Sequence, residues 1–200
     1  MILAALILQA AAPESAVDAE RAFNAAAQAR GQWTAFREYV AANATMFVPQ
    51  PINAQEWLKD RKDPAKSVEW WPSESYVSCD GNTAINTGGW KRPDGSVGYF
   101  TTIWRRQADG GWKWVYDGGD TLASPLPVLS EPKLIRPECV SKSPMYMMAA
   151  VPNGAPGASS DYSMMWEWSV APNGERHLRV TQWDGQRHKG VLSQTVAPAK

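Results

Sequence analysis

The chain has 200 residues, 20 basic against 20 acidic, a formal net charge of zero and a pI near 6.7. That length holds one large domain, or one of about 100 to 150 residues with an extension, and the balanced charge lacks the basic stripe that nucleic-acid backbones select, so no nucleic-acid partner is expected. Tryptophan is the outlier, 11 residues against four phenylalanines: rigid apolar plates, each with one N–H, suited to core packing or to ligand stacking.

At the N-terminus the apolar run Ile2 to Leu8, followed by the small residues Ala10 to Ala12, has the outline of a secretory signal over residues 1–13 and predicts a periplasmic or secreted protein. No Lys or Arg precedes the run, the first basic residue being Arg21, so a frayed helix start, with a cytoplasmic protein, is the alternative. No other stretch approaches the roughly 20 apolar residues of a membrane span. Cys79 and Cys139 stand 60 positions apart without metal-type spacing. Two unpaired, partly buried thiols are the favoured reading, and a disulfide is the alternative if the chain is exported.

Ser15 with Asp18 three residues on is a helix-start pattern, and Val17, Phe23, Ala26 and Ala27 carry that helix to Gly31. Trp33, Phe36, Tyr39 and Val40 then recur at spacings of three and four, a second helix with one apolar stripe. "TMFVPQP" reads as a short strand, and Asn53 with Glu56 as the start of a short helix. Thereafter "CDGN", "RPDGS" and "QADGG" punctuate runs rich in Tyr, Thr, Ile, Val and Trp, as in a curved antiparallel sheet with helices on one face. Residues 122–160 hold seven of the 15 prolines and the tract "PNGAPGASS", hence a linker or surface wrap, with Met145 to Met148 available to pin it. Residues 162–171, 176–183 and 189–196 read as a three-stranded meander, which has an apolar face but no core and so should cover something larger.

The segments "AERAFNAAAQARGQWTAFREYVAANATMFVPQP" and "SVGYFTTIWRRQADGGWKWVYD", with Asn53 between them, resemble the nuclear transport factor 2-like superfamily, more narrowly its SnoaL-like bacterial domains of unknown function, over about residues 14–121. The resemblance implies an α+β fold of cystatin-like type: a cone of curved antiparallel sheet wrapped on the N-terminal helices, with a pocket at its open end. The C-terminal meander, 161–200, lies outside it. The family includes ketosteroid isomerase, polyketide cyclases, epoxide hydrolases, dehydratases and many members without known chemistry, and many form homodimers through the sheet, so fold alone selects no function.

The enzymes of that family bring an acid or His on the sheet together with Tyr or Asp donors. Here both histidines, His177 and His188, lie in the meander, so a His-centred mechanism has no candidate in the cone. Strict alternation on the last cone strand puts Trp112, Trp114 and Tyr116 on one face and Lys113, Val115 and Asp117 on the other. If the Trp face packs the helices, Asp117 points away from the pocket or sits at its rim. Asp117 remains the candidate acid, with an end-of-strand structural role favoured over it. Asp120 reads as a solvated loop residue, and the pair offers too few oxygens for a hard cation, so no metal or other cofactor is expected. On the neighbouring strand either Tyr99, Thr101, Ile103 and Arg105 or Phe100, Thr102, Trp104 and Arg106 face inward; two arginines beside a turn are more often a solvated strand end than an anion site. By analogy with where the open end lies in that fold, the resemblance implies Trp33, Trp57, Trp90 and Tyr99 as pocket-lining residues, although each is otherwise ordinary core. Asn43-Ala-Thr45 fits a glycosylation pattern but is given no role.

Three readings follow. The preferred one is a non-catalytic module whose aromatic pocket holds a small apolar or sugar-like ligand. The second is an isomerase, cyclase or hydrolase with Asp117 as base and Tyr99 or Tyr39 as donor. The third is a protein-interaction module using the Trp-rich meander.

Overall fold

The computed structural model describes residues 15–145 and 148–198; the segment read as an export signal, residues 1–13, lies outside them. Helix α1 (Ala16–Arg30) starts on a reciprocal box in which the Ser15 hydroxyl accepts from the Asp18 N–H and the Asp18 carboxylate accepts from the Ser15 N–H, both at 3.2 Å. It stops at Gly31, whose φ of 110° favours glycine and which leaves room for Asp63. Asp63 accepts from the N–H groups of Trp33 and Thr34 and thereby caps α2 (Gln32–Tyr39).

The chain then runs through β1 (Val40–Phe47), β2 (Pro51–Asn53), α3 (Ala54–Leu58), β3 (Glu69–Val77), β4 (Thr83–Lys91), β5 (Val97–Arg106), β6 (Trp112–Leu122) and β7 (Lys133–Ile135). These strands form one sheet in the order β2-β1-β6-β5-β4-β3-β7, antiparallel except for the parallel pairs β1·β6 and β3·β7. α1 and α2 pack on one face. Phe23 is the hub of that core, within 6 Å of the rings of Phe36, Tyr39, Trp70 and Trp104. This is the α+β arrangement expected from the sequence, helices against a curved, largely antiparallel sheet.

The C-terminal part departs from expectation. Its meander has four strands, not three: β8 (Gly154–Ala158), β9 (Met164–Val170), β10 (Arg176–Trp183) and β11 (His188–Val196), in the order β11-β10-β9-β8. β8 comes from the "PNGAPGASS" tract read as linker. It is an edge strand, so Pro156 removes no ladder bond that the sheet needs, and Gly157 lets the Trp166 indole lie where a Cβ would stand. This second sheet covers the outer face of the first, with Met164, Trp166, Leu178 and Val180 packed on Tyr76, Ile85, Ile103 and Tyr116. Trp168 packs edge-on to Phe47. The face through which a homodimer was expected is therefore occupied by the chain's own second sheet.

The preference for free thiols is also corrected. Cys79 and Cys139 form a disulfide with Cα atoms 5.5 Å apart, tying the β3–β4 turn to the wrap that follows β7. The spacing gave no hint because the wrap's course, and not its length, brings the two together. The wrap is held further by Trp183, whose backbone carbonyl accepts from Glu138 N–H and whose indole donates to the Ser141 hydroxyl. Met145, proposed as part of a pin, is exposed.

A candidate acid site in the cone

Strict alternation fails on β6 at one residue. Trp104 pairs with Trp114 but Ile103 pairs with Tyr116, so Val115 is the extra residue of a β-bulge. Trp112 and Trp114 face the helices, Tyr116 faces the second sheet, and the next residue, Asp117, returns to the helix side. The expectation that Asp117 points away from the pocket is thus overturned. β5 settles likewise: Phe100, Thr102 and Trp104 face inward, while Ile103 faces outward and the Thr101 hydroxyl donates to Gln194 of the second sheet at 2.9 Å.

Between the helices and the concave face lies a cavity of about 420 Å³ that contains both Glu20 and Asp117 in its wall. Asp117 is half-buried, the surface it keeps opening on this cavity. Its Oδ2 accepts from the hydroxyl of Thr102, its partner across the ladder, at 3.1 Å; its other oxygen has no hydrogen-bonding partner among the described residues. Burial pushes its carboxyl up to about 7, the Thr102 bond pulling the other way.

Glu20 escaped the sequence reading. It is fully buried, with Oε1 accepting from the Trp70 indole at 2.9 Å and Oε2 from the Trp104 indole at 2.6 Å and the Asn86 amide at 3.2 Å. Asn86 is itself fixed by Ser75 and by the Ala16 carbonyl. Burial raises Glu20 to about 7, the three N–H bonds lowering it and the Asp117 charge raising it further. The signal was present: Ala16, Glu20, Phe23 and Ala27, spaced four, three and four, form one stripe, so an acid sat on the face that had to be buried.

Of the residues expected at the pocket, Trp33, Trp90 and Tyr99 line the cavity. Trp57 does not; it packs edge-to-face on Trp33 at 5.1 Å and carries the Arg61 guanidinium over its ring. Trp90 is seated by Gly98, where a Cβ would strike its ring, and donates its indole N–H to the Tyr99 carbonyl. Tyr99 falls on the strand face of Thr101 and Ile103, toward the second sheet, and also borders the cleft between the sheets with Tyr116 and Arg176; its hydroxyl is held above its usual range by burial and by Asp120, with Arg176 opposing. Tyr39, the other proposed donor, is stacked on Phe23 and edge-on to Trp104, and is not in the cavity wall. Asp120 lines the cavity's more open end with its Oδ1 engaged by the Thr121 N–H. Among the described residues no group of three His, Cys, Asp or Glu could hold a metal ion. Neither histidine lines the cavity. Arg105 and Arg106 are exposed, bonded to the carbonyls of Ala158 and Gly110, as a solvated strand end should be. Two further guanidiniums, Arg92 and Arg176, do line the cavity.

No family model matches the chain, and no curated protein matches it. Solved structures similar to it include a proposed ketosteroid isomerase from Parabacteroides distasonis ATCC 8503, at 17% identity and a TM-score of 0.45, covering 57% of this chain and 94% of that one. A proposed ketosteroid isomerase from Shewanella frigidimarina NCIMB 400 is 21% identical with a TM-score of 0.40, over 54% and 96%. An NTF2-like protein of unknown function from Mesorhizobium loti is 18% identical with a TM-score of 0.33, over 52% and 88%. Nothing about chemistry carries over at these values.

Proposed function

We propose that the protein transfers a proton to or from a small, largely apolar molecule held in the cone, with Asp117 as general base. One observation carries this reading: a carboxyl group in a 420 Å³ aromatic-walled cavity, desolvated enough to titrate near 7, yet with one oxygen open to the cavity. A base poised near the working pH is what abstraction of a proton from carbon, or from water, requires. The test is deuterium incorporation at the α-carbons of a panel of cyclic ketones incubated with the protein in D₂O. Exchange should rise as the pH passes through about 7 and fall roughly 100-fold or more in Asp117→Asn. Exchange indifferent to that substitution contradicts the reading.

A non-catalytic binding module is the second reading, and Glu20 favours it, because its carboxyl is committed to three core donors and adds no free reacting group. Under it, ligands bind to wild type and Asp117→Asn alike and neither exchanges deuterium. The interaction-module reading loses its support, since Trp166 and Trp168 pack on the larger sheet. The disulfide supports export to an oxidising compartment. With the outer face of the large sheet covered, a homodimer would need another surface.

A further inference from the structure

We infer that the ligand carries a carboxylate, received at the open end of the cavity by Arg176 of the second sheet together with Arg92. This rests on the cavity being a ligand site, not on whether Asp117 transfers a proton.

Arg176 opens β10 and shares the alternation of Leu178 and Val180, both buried against the large sheet. It is thus a cation at a core-facing position, half-buried, with its guanidinium 5.4 Å from the Phe47 ring centroid. Its guanidinium bond to the Gly119 carbonyl is long, 3.5 Å, and among the described residues no carboxylate oxygen comes within 4.0 Å of it. The neighbouring Glu175 is engaged with His177 at 3.0 Å. A guanidinium offers five donors in a planar fork, and taking it half out of water without an anion is costly unless a ligand supplies one.

Arg92, exposed in the β4–β5 turn, lies 4.5 Å from the Trp90 ring centroid in the same wall. Its acidic neighbour, Asp94, spends its Oδ1 on the N–H and hydroxyl of Ser96. The open end therefore presents two guanidiniums against one carboxylate, Asp120, while the buried end holds Asp117 and Glu20 and the walls between are aromatic. A ligand complementary to that polarity has an anionic head, an apolar body lying on Trp33 and Trp90, and a reacting or hydrogen-bonding group beside Asp117. Three carboxyl groups along one cavity disfavour a dianionic head, and the fork of Arg176 matches a monoanionic carboxylate in two parallel bonds. Arg176 lies outside the segment that carries the family resemblance, so the second sheet contributes to the site as well as covering the first.

The test compares 2-naphthylacetate with the neutral 2-naphthylacetamide, followed by tryptophan fluorescence and by indole N–H shifts, on wild type, Arg176→Met, Arg176→Lys and Arg92→Met, each checked for fold by circular dichroism. Wild type should prefer the acid by roughly tenfold or more. Arg176→Met should lose most of that preference without weakening the amide. Arg176→Lys, which keeps the charge and loses the fork, should fall between, and Arg92→Met should cost less because that residue is more exposed. If the amide binds as well as the acid, or if the preference survives in Arg176→Met, the carboxylate inference fails and the cavity reading stands. If neither compound shifts Trp33 or Trp90, both fail together.

Discussion

Glu20, fully buried, and Asp117, half-buried on the cavity, are both acids raised to about 7, yet their hydrogen bonds give them opposite fates under the same change. Because the folded state holds these protons more tightly than the unfolded chain, unfolding releases them between pH about 4 and about 7, and their contribution makes stability fall as pH rises through that window. Asp117→Asn removes a charge whose one bond, from Thr102, an amide oxygen can accept equally well. It should therefore stabilise the protein at pH 8 by on the order of 2 kcal/mol, after allowance for solvent reaching the cavity, and by little at pH 4. Glu20→Gln also removes a charge, but its new NH₂ must face one of three N–H donors that have only an oxygen to bond, so it should cost about 1 to 3 kcal/mol at pH 4, where no charge relief offsets it. Chemical denaturation at the two pH values reads both. If Asp117→Asn shows no gain at pH 8 over pH 4, the desolvation of that carboxyl is wrong. At this scale the sequence supplied Asp117, Tyr99, Trp33 and Trp90. Glu20 and Arg176 were legible only as charges sitting on apolar periodicities, and neither was read that way.

The elements themselves were largely legible, because their signals are local. The Ser15–Asp18 box, the Asn53 cap that accepts from Glu56 N–H, and the Asp-Gly turns between β3, β4, β5 and β6 each mark a boundary within a few residues of chain. The failures are places where a long-range partner decides. Val115 is apolar and sits mid-strand, so nothing in "WKWVYD" announces a bulge; the bulge follows from matching both Trp114 to the helix core and Tyr116 to the second sheet. In β8, Gly and Pro suppress every strand signal, yet Gly157 is needed because Trp166 lies 2.3 Å from where its Cβ would be. Gly157→Val should force that indole out of place, cost about 1 to 3 kcal/mol and remove amide-exchange protection from residues 154–158 first. Unchanged protection there would show that β8 does not rest on this close approach.

Across the whole molecule, the second sheet and the disulfide act as one unit on the outer side of the cone. The 60-residue separation of Cys79 and Cys139 makes their bond a long-loop closure, for which the chain-entropy account gives about 4 kcal/mol and measured cases commonly 2 to 4. The Cys79→Ser/Cys139→Ser double variant should lose about that much in urea unfolding, and reduction of the native protein should give the same midpoint. A variant as stable as the wild type would mean that the bonds from the Cys79 and Asp80 N–H groups to Ser163 and Asp161, with those of Trp183 to Glu138 and Ser141, hold the turn and the wrap without it. None of this docking was readable from composition. The meander's need for something to cover was; what it covers, and that its Arg176 reaches the cavity, depends on how two sheets meet.

Proton transfer in the cone requires a desolvated, ionisable Asp117 facing the cavity. Its most direct test is the pH titration of the Asp117 side-chain carboxyl carbon by NMR, with Asp117→Asn identifying the resonance. The midpoint should lie near 7 and move higher in Thr102→Val as the one hydrogen bond to the carboxylate is lost. A midpoint at about 4 or below would place the group in water or against a cation, and the proton-transfer reading would fall with it.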